Sequence, residues 1–453
     1  MIRRTFLLSF CALALWGQGR PRLDARIDAA VRDALRQSGA PSVSVAVVVE
    51  GRLAYAQAFG YSSLAPRRAA TARTRYAVGS ISKQFTAAAL LLLQEEGKLS
   101  LDDKVSQYFP DLTRAGEITL RQLLSHTSGY EDYAPQDYII PAWTKATTPQ
   151  QILDGWARKP LNFDPGARWQ YSNTNYVLAA SIFEKVSGQK LVAFLRDRIF
   201  GPLDMQSAGA WNPGGEEEAR AYTRFALGPP RPVAREAAGW YFGAGELAMT
   251  PSDLARWDIA FLQKKILSAK SYEEFTREAR LNGGGPTRYA LGLSLRQAEG
   301  VNVIQHGGEV SGFLASNTVL PSRNGAVVVL SNQDCVGLAE PLAQTLLRLA
   351  FGAADSQTDQ ARSILEGLAE GRIDRSLFTA NANSYFSETA LKDCRASLRR
   401  LGGLVSITPG AESQRGGMTH RSYRAQFQKK TLSVSAYLTA SGKYDQFLVV
   451  EQM

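Results

Sequence analysis

Ser80-Ile81-Ser82-Lys83 begins an apolar stretch that continues to Glu96. Leu90 to Leu93 is apolar on every side of a helix, so the stretch predicts a central, buried helix rather than an amphipathic one. Residues three positions apart share one helix face, which places the Lys83 amine next to the Ser80 hydroxyl. A serine hydroxyl is a weak nucleophile until a neighbour accepts its proton, and burial lowers the pKa of a lysine. The spacing therefore predicts a nucleophile and its base on one helix.

Strand-like segments lie on both sides of this helix in the sequence. Before it, Val43 to Val49 and Leu53 to Phe59 predict a hairpin. After it, alternation predicts four strands and a closing helix: Tyr289 to Leu295, Val301 to Gln305, Ser316 to Leu320, Ala326 to Leu330 and Ala339 to Leu349. Between the two sets, helix signals stand at Ile118 to Leu124, Asn175 to Val186 and Pro251 to Leu262. The order predicts an α/β (α+β) domain with a helical insertion and a site at their junction.

A second domain is predicted after a polar boundary near Gly352 to Gln360. Helix and strand signals follow it at Ser363 to Glu370, Thr389 to Arg400, Thr419 to Phe427, Leu432 to Leu438 and Tyr444 to Val450. Helices followed by a curled antiparallel sheet resemble, in topology, the nuclear-transport-factor-like (cystatin-like) cone. We therefore expect a small α+β domain over 361–453, to which the sequence assigns no chemistry.

The amino terminus has the composition of an export signal. Met1 to Arg4 is basic, and the apolar run Thr5 to Trp16 is too short to span a bilayer. Small residues then offer cleavage zones, so we expect a signal peptide over 1–19, a hydrolase-sized domain over 20–352 and a secreted or periplasmic protein. An uncleaved membrane anchor is the alternative. Cys335 and Cys394 remain after cleavage, and buried free thiols are favoured over a disulfide.

Composition excludes several other classes of protein. The 52 basic and 42 acidic residues give a net charge of +10, but the basic residues are spread along the chain. A nucleic-acid reader needs a basic stripe on a recognisable module, and none is present in the sequence. Three scattered histidines without an HExxH pattern make a metal site improbable, and we expect no cofactor.

Two further motifs join the Ser80 segment. Tyr171-Ser172-Asn173 follows a Pro- and Gly-containing loop, and His306-Gly307-Gly308 follows the strand predicted at Val301 to Gln305. With Leu123 to Gly129, these motifs stand in an order and at spacings similar to those of the serine β-lactamase and penicillin-binding-protein superfamily. The likeness is to its class C, D-Ala-D-Ala carboxypeptidase and β-lactamase-like esterase branch, and it covers roughly residues 24–350.

The resemblance implies a fold and a role for each motif residue. The fold is a β-lactamase/transpeptidase-like antiparallel sheet flanked by helices, with a helical subdomain. Ser80 forms an acyl-enzyme, Lys83 helps remove its proton, and Tyr171 is a second proton carrier. Asn173 hydrogen-bonds Lys83 or the substrate, and the backbone N–H groups of Ser80 and Glu309 hold the oxyanion. Gly307 and Gly308, being small, let a substrate lie against the strand edge.

His306 departs from the family pattern, because many β-lactamases place lysine at this position. Histidine is mostly neutral at pH 7 and lacks a fixed charge for a substrate carboxylate. We therefore expect a serine hydrolase acting on an amide or ester, a D-amino-acid peptide or a β-lactam, with carboxypeptidase or esterase activity favoured over efficient β-lactam hydrolysis. The alternative is a penicillin-binding sensor that is acylated with little turnover. The expected partner is a small molecule or peptidoglycan-like substrate, and the oligomeric state stays open.

Overall fold

The computed structural model describes residues 20–136, 138–212, 214–298, 301–351 and 356–451. Its residues divide into two compact units, with the boundary between Phe351 and Gly352. The first, which carries the predicted active-site residues, is called the catalytic unit below, and the second the tail unit. The predicted signal segment, residues 1–19, lies outside the described residues. Among the described helices, none combines the length and the apolar character that crossing a bilayer requires.

The catalytic unit contains nine α-helices in its described residues. They are α1 (Arg20–Ser38), α2 (Ser82–Glu95), α3 (Leu120–Leu124), α4 (Pro149–Ile152), α5 (Asn173–Ser187), α6 (Leu191–Leu195), α7 (Pro251–Leu262), α8 (Ala269–Thr276) and α9 (Ala339–Phe351). Local signals explain several boundaries. Thr119 caps α3 with a complete capping box, Thr250 caps α7 ahead of Pro251, and Gly188 ends α5 in the left-handed conformation.

Strands from both ends of the catalytic unit meet in one sheet. The strands are β1 (Ser42–Val49), β2 (Arg52–Leu64), β3 (Arg67–Ala69), β4 (Tyr76–Ala77), β5 (Gly209–Ala210), β6 (Tyr222–Thr223), β7 (Arg231–Pro232), β8 (Leu247–Met249), β9 (Ser294–Ala298), β10 (Val301–Val310), β11 (Phe313–Leu320) and β12 (Gly325–Ser331). The main sheet has the order β3-β2-β1-β12-β11-β10-β9, and its neighbours are antiparallel. The predicted fold class is confirmed: an antiparallel sheet flanked by helices, with a helical insertion.

Both faces of the central strands are buried, which explains their continuous apolar runs. Val45 and Val47 pack with α1 and α9 on one face, while Ala46 and Val48 pack with α2 and the inserted helices on the other. Strand β1 pairs with β12 through Val45 opposite Val329. The sheet therefore joins the two ends of the unit and holds α2 against its second face.

Several strand predictions in the catalytic unit have wrong bounds. Strand β2 continues past Phe59 to Leu64, β11 begins at Phe313 rather than Ser316, and only Ser294 and Leu295 of the segment predicted at Tyr289 to Leu295 lie in a strand. Residues 289–293 are not a strand, because Gly292 has a φ of 72° and a side chain there would lie 2.9 Å from the Lys83 carbonyl oxygen. Strand β10 does not stop at Gln305 but continues through the two glycines to Val310. Gly307 and Gly308 pair with β11 and do not end the strand, and Gly308 permits close packing against the Val78 carbonyl. Helix α1 was not predicted.

The tail unit packs helices against a four-stranded antiparallel sheet. Its elements are α10 (Ser356–Glu370), α11 (Ala380–Tyr385), α12 (Glu388–Arg399), β13 (Leu404–Arg415), β14 (Met418–Phe427), β15 (Thr431–Leu438) and β16 (Tyr444–Glu451). The sequence analysis missed α11 and β13. Most of β13 is exposed and it contains Pro409 and Gly410, so it lacks the alternation that marks a strand. The resemblance to a nuclear-transport-factor-like cone stays a prediction.

Candidate active site

The predicted nucleophile and base are adjacent in the folded chain. Ser80 lies in a short 3₁₀ turn, Gly79–Ile81, and Lys83 lies in the first turn of α2. The Lys83 side chain is fully buried, and its Nζ is 3.0 Å from Ser80 Oγ. The same nitrogen lies 2.8 Å from Asn173 Oδ1 and 2.8 Å from the Ala244 carbonyl oxygen. Three distant segments thus converge on one amine.

Burial lowers the pKa of Lys83 to about 7, and the charge of Asp132 opposes this shift. A neutral amine has two N–H groups and one lone pair. The oxygens of Asn173 and Ala244 accept hydrogen bonds and take the two N–H groups. The lone pair is then left for the Ser80 hydroxyl, which is the arrangement that a general base requires.

Tyr171 lies beside this pair; its side chain is partly exposed to the cleft, and its hydroxyl oxygen is buried. Its ring centroid is 4.9 Å from Lys83 Nζ, and its hydroxyl makes no hydrogen bond of full geometry. Burial raises the pKa of the Tyr171 phenol, and the nearby Ser80 hydroxyl counters part of that rise. At neutral pH the phenol therefore keeps its proton and is placed to act as an acid.

His126 supports the loop that carries Tyr171. It adopts a φ of 60°, its Nδ1 accepts the Ser172 N–H at 3.2 Å, and its carbonyl accepts the Gln170 N–H at 3.0 Å. Its ring centroid lies 4.3 Å from that of Tyr171. Burial lowers the pKa of His126 well below its usual value, so the imidazole is neutral. These contacts hold the segment that carries Tyr171 against the His126 loop.

Asp132 is a site residue that the sequence analysis missed. One oxygen accepts the backbone N–H of Asn173 at 2.9 Å, and the carboxylate accepts the amide Nδ2 of the same residue at 3.2 and 3.3 Å. The amide nitrogen is therefore fixed toward Asp132, and Oδ1 is fixed toward Lys83. An aspartate in a loop carries no motif of its own, and only its contact with residues 41 positions away reveals the role.

Strand β10 lies directly against the Ser80 turn. A side chain at Gly308 would lie 1.9 Å from the Val78 carbonyl oxygen, and one at Gly79, whose φ is 51°, would lie 2.8 Å from the Glu309 nitrogen. The two glycines thus bring the backbone of Glu309 next to that of Ser80. The pairing of their N–H groups as oxyanion donors stays a prediction, as do the roles of Gly307 and Gly308.

His306 lies on the same strand and is held on both sides of its ring. Its Nδ1 lies 2.5 Å from the Gly307 carbonyl oxygen, and its Nε2 lies 2.8 Å from the Tyr289 hydroxyl. The carbonyl requires a proton on Nδ1, so in the neutral ring Nε2 accepts the tyrosine O–H. Burial lowers the pKa of His306 to about 4, and this ring is uncharged at neutral pH.

These residues border a cavity of about 860 Å³, called the cleft below. Its lining includes the predicted site residues Ser80, Tyr171, Asn173, His306, Gly307, Gly308 and Glu309. Aromatic side chains on the insertion, among them Trp143, Trp169 and Tyr241, form much of its wall. In the described part of the chain, no group of three or more His, Cys, Asp or Glu side chains is arranged to hold a metal. Cys335 and Cys394 are free thiols, and Cys335 is exposed rather than buried as expected.

A comparison with family models adds a decisive observation. The model described as Beta-lactamase matches residues 11–350, well over half of the chain. The chain belongs to the Beta-lactamase family. This membership confirms the resemblance to the serine β-lactamase and penicillin-binding-protein superfamily.

Relatives within the family carry two kinds of name. Penicillin-binding protein 4* of Bacillus subtilis (strain 168) is 30% identical over 63% of this chain and 66% of its own length. A D-aminopeptidase of Cereibacter sphaeroides is 30% identical over 69% of this chain and 60% of its own length. The crystal structure of a D-stereospecific amidohydrolase from Streptomyces sp. is 29% identical, with a TM-score of 0.62, over 72% of this chain and 98% of that one. The chain thus spans less than two thirds of the length of these two curated relatives.

Proposed function

We propose that the protein is a serine hydrolase that transfers the acyl group of an amide or ester to Ser80 and then to water. The observation that carries the proposal is that every position around the Lys83 nitrogen has a defined hydrogen-bond partner. Both N–H groups of its neutral amine are taken by carbonyl oxygens, and its lone pair is directed to a hydroxyl 3.0 Å away. An amine with a pKa near its operating pH is an effective proton acceptor.

In the proposed reaction, Ser80, Lys83 and Tyr171 each act once during acylation and once during deacylation. Ser80 Oγ bonds to the carbonyl carbon while its proton passes to Lys83, and the oxyanion lies between the N–H groups of Ser80 and Glu309. Tyr171 gives its proton to the departing amine or alcohol and recovers one from Lys83. Water then attacks the acyl carbon, and its proton passes to Tyr171 while Tyr171 gives its own to Lys83. The bond between the acyl carbon and Ser80 Oγ breaks, and Lys83 returns the proton to Ser80.

We propose a D-amino-acid amide as the substrate, because two similar proteins carry that chemistry in their names, D-aminopeptidase and D-stereospecific amidohydrolase. Carboxypeptidase and esterase activities, expected from the sequence, belong to the same reaction type. The uncharged His306 argues against efficient β-lactam hydrolysis.

The test is a Ser80→Ala variant assayed with D- and L-alanine p-nitroanilides, p-nitrophenyl acetate, nitrocefin and a fluorophosphonate label. We expect loss of labelling and of turnover by several orders of magnitude, roughly 10⁶-fold as for other serine nucleophiles. Ser82→Ala is the matched control, because the Ser82 hydroxyl accepts the Leu247 N–H and the residue does not line the cleft. Retained turnover of every substrate in Ser80→Ala would refute the proposal.

A sensor that is acylated and turns over slowly is the second candidate. One observation favours it: the phenol of Tyr171 is buried and protonated, so it is a poor base for a deacylating water. A pulse of labelled penicillin followed by a chase distinguishes the two. An adduct that persists for hours with negligible ester turnover supports the sensor.

We further propose export by the segment 1–19 and a division at residues 20–352 and 361–453, as the sequence predicts. The amino-terminal sequence of the mature protein recovered from cell fractions tests the export. An intact Met1 in a cytoplasmic fraction would contradict it.

A further inference from the structure

The cleft is acidic although the chain is strongly basic. The whole chain carries a net charge of +10. Among the described residues that line the cleft, the carboxylates are Asp132, Glu236, Glu309 and Glu340. The lining guanidinium belongs to Arg296, whose NH1 lies 3.2 Å from Glu340 Oε1. A cleft lined by one sign of charge attracts ligands of the opposite sign and repels those of its own sign.

Arg235 interacts electrostatically with Glu236, but its guanidinium lies over the rings of Trp211 and Phe313 and does not line the cleft. The nitrogens of Lys83 and His306 already have hydrogen-bond partners. Lys83 directs its nitrogen to Ser80, Asn173 and the Ala244 carbonyl, and burial lowers its pKa to about 7. His306 bonds through Nδ1 to the Gly307 carbonyl and through Nε2 to the Tyr289 hydroxyl. Neither ring nitrogen is left to donate to a ligand.

Tyr289 and His306 are both enclosed, with exposed fractions of 3% and 5%. The titratable groups facing the imidazole are Lys83 on α2, His126 and Tyr171 on the insertion, and Tyr289 itself. Protonation of His306 would place a second positive charge near Lys83 and would break the hydrogen bond from Tyr289. Both effects favour the neutral ring.

We propose that the cleft selects acyl substrates without a carboxylate beside the scissile bond, and that Tyr289 enforces this selection by holding His306 uncharged with both nitrogens engaged. Tyr289 is thus a positioning residue that acts through His306. The inference rests on the proposed acyl transfer to Ser80 and defines its substrate class: uncharged or cationic amides and esters.

The experiment uses the full-length protein and two aryl esters that differ in one charge. meta-Acetoxybenzoate carries a carboxylate on its leaving group, and meta-acetoxybenzamide carries a neutral amide of the same shape. Each kcat/KM is divided by the rate of spontaneous alkaline hydrolysis of that ester, so that leaving-group differences cancel. We expect the wild-type protein to prefer the amide by about tenfold, since repulsion of one charge in a partly buried cleft is worth that much.

Two variants connect the preference to the named residues. His306→Lys introduces a fixed charge and is expected to reduce the preference to about one or to reverse it. Tyr289→Phe frees Nε2, so the preference for the amide should weaken as the pH falls from about 8 to about 5, whereas the wild-type ratio stays flat. Tyr272→Phe is the matched control, because this buried tyrosine bonds the Ile266 N–H and does not line the cleft.

A direct titration accompanies the kinetics. The chain has three histidines, so the imidazole of His306 can be assigned by NMR with His306→Gln. Tyr289→Phe is expected to raise its pKa, an effect that a merely structural tyrosine would not produce. Equal turnover of the two esters by the wild-type protein, or an unchanged His306 titration in Tyr289→Phe, overturns the inference. Turnover that survives Ser80→Ala overturns the proposed function instead.

Discussion

The interiors of the two units differ in their polar content. The catalytic unit buries Lys83, His126 and Asp258 with exposed fractions of 0% each. The tail unit has an apolar core, with Phe427, Val434 and other residues of β14 and β15 packed against its helices. In the described residues of the tail unit, no charged, amide or hydroxyl-bearing aliphatic side chain is buried to that degree.

The buried polar groups of the catalytic unit lie in hydrogen-bond networks beside the candidate site, whereas the core of the tail unit is held by apolar packing. Burying a polar group is costly unless hydrogen bonds replace those to water. The catalytic unit meets that need with networks such as Trp257 Nε1 to Gln84, Gln84 to Asn317 and Asn317 to Asp258, at 2.8 to 3.0 Å. Gln84 adjoins Lys83 in α2, and Asn317 pairs with His306 between β11 and β10. The buried polar groups therefore tie the two sides of the site together.

Among the variants that test this comparison, the one that removes the buried Lys83 amine has the largest expected effect. Lys83→Met is expected to lower kcat/KM by roughly 10²–10⁴-fold, because the variant lacks the general base. In the wild-type protein, kcat/KM should rise with pH through about 7 as Lys83 loses its proton. The exposed Lys98, which pairs with Glu96, offers Lys98→Met as a control. Wild-type turnover in Lys83→Met would mean that the buried amine is not catalytic.

Asp132→Asn probes the orientation of Asn173. The variant no longer distinguishes the two ends of that amide, so we expect kcat/KM to fall by roughly tenfold to a hundredfold. Because the charge of Asp132 raises the pKa of Lys83, its removal should also move the acid limb of the pH profile to lower pH. Asp164→Asn, at an exposed surface ion pair, is the control. An acid limb that does not move would contradict the assignment.

Asp258→Asn tests whether a buried carboxyl sets the pH dependence of stability. Burial raises the pKa of Asp258 to about 8, whereas the unfolded chain has a value near 4. The folded protein therefore keeps a proton that the unfolded chain releases. The stabilising contribution is complete below about pH 4 and is lost as the pH rises to about 8. The urea midpoint of the wild-type protein should fall relative to that of Asp258→Asn between about pH 5 and about pH 8, and parallel curves would exclude this role.

A pair of matched substitutions has the smallest expected effect. Val434→Thr puts a hydroxyl into the apolar tail core, whereas Thr174→Val removes the hydroxyl that donates to the Glu131 carbonyl at 2.6 Å. Val434→Thr is expected to lower the free energy of unfolding by about 1–3 kcal/mol, because it buries an unpaired polar group. Thr174→Val is expected to lower it by about 1 kcal/mol, because the Glu131 carbonyl loses the shorter of its two hydrogen bonds and keeps the one from Ser172 Oγ at 3.4 Å. Denaturant unfolding measures both. A neutral Thr174→Val would show that the polar interior tolerates loss of partners.

Several elements are accessible to prediction because their signals are local. Helix α7 begins after a threonine cap and a proline, and α5 ends at Gly188, as its sequence indicates. The predicted strand ends at Gln305, five residues before the end of β10, because Gly307 and Gly308 have the local signature of strand-breaking residues. Gly308 is required by the close approach of the Val78 carbonyl, more than two hundred positions earlier, which no local pattern contains.

In the candidate site, too, some residues have a local sequence signal and others are identified only by contacts between remote segments. The three-residue spacing of Ser80 and Lys83 determines their contact, because one turn of helix joins them. Asp132 and Tyr289 have no such marker, and each acts through a residue on another segment. Their roles follow from how Asn173 and His306 are oriented in the folded chain.

By itself, the amino-acid sequence determined the central helix, the contact between Ser80 and Lys83, and the α/β class, since short-range periodicity and spacing encode these features. Tertiary structure decided which way the Asn173 amide points, that His306 is uncharged, and that an acidic cleft lies in a basic chain. The physical reason is that hydrogen-bond orientation and desolvation depend on atoms that are remote in sequence and adjacent only after folding.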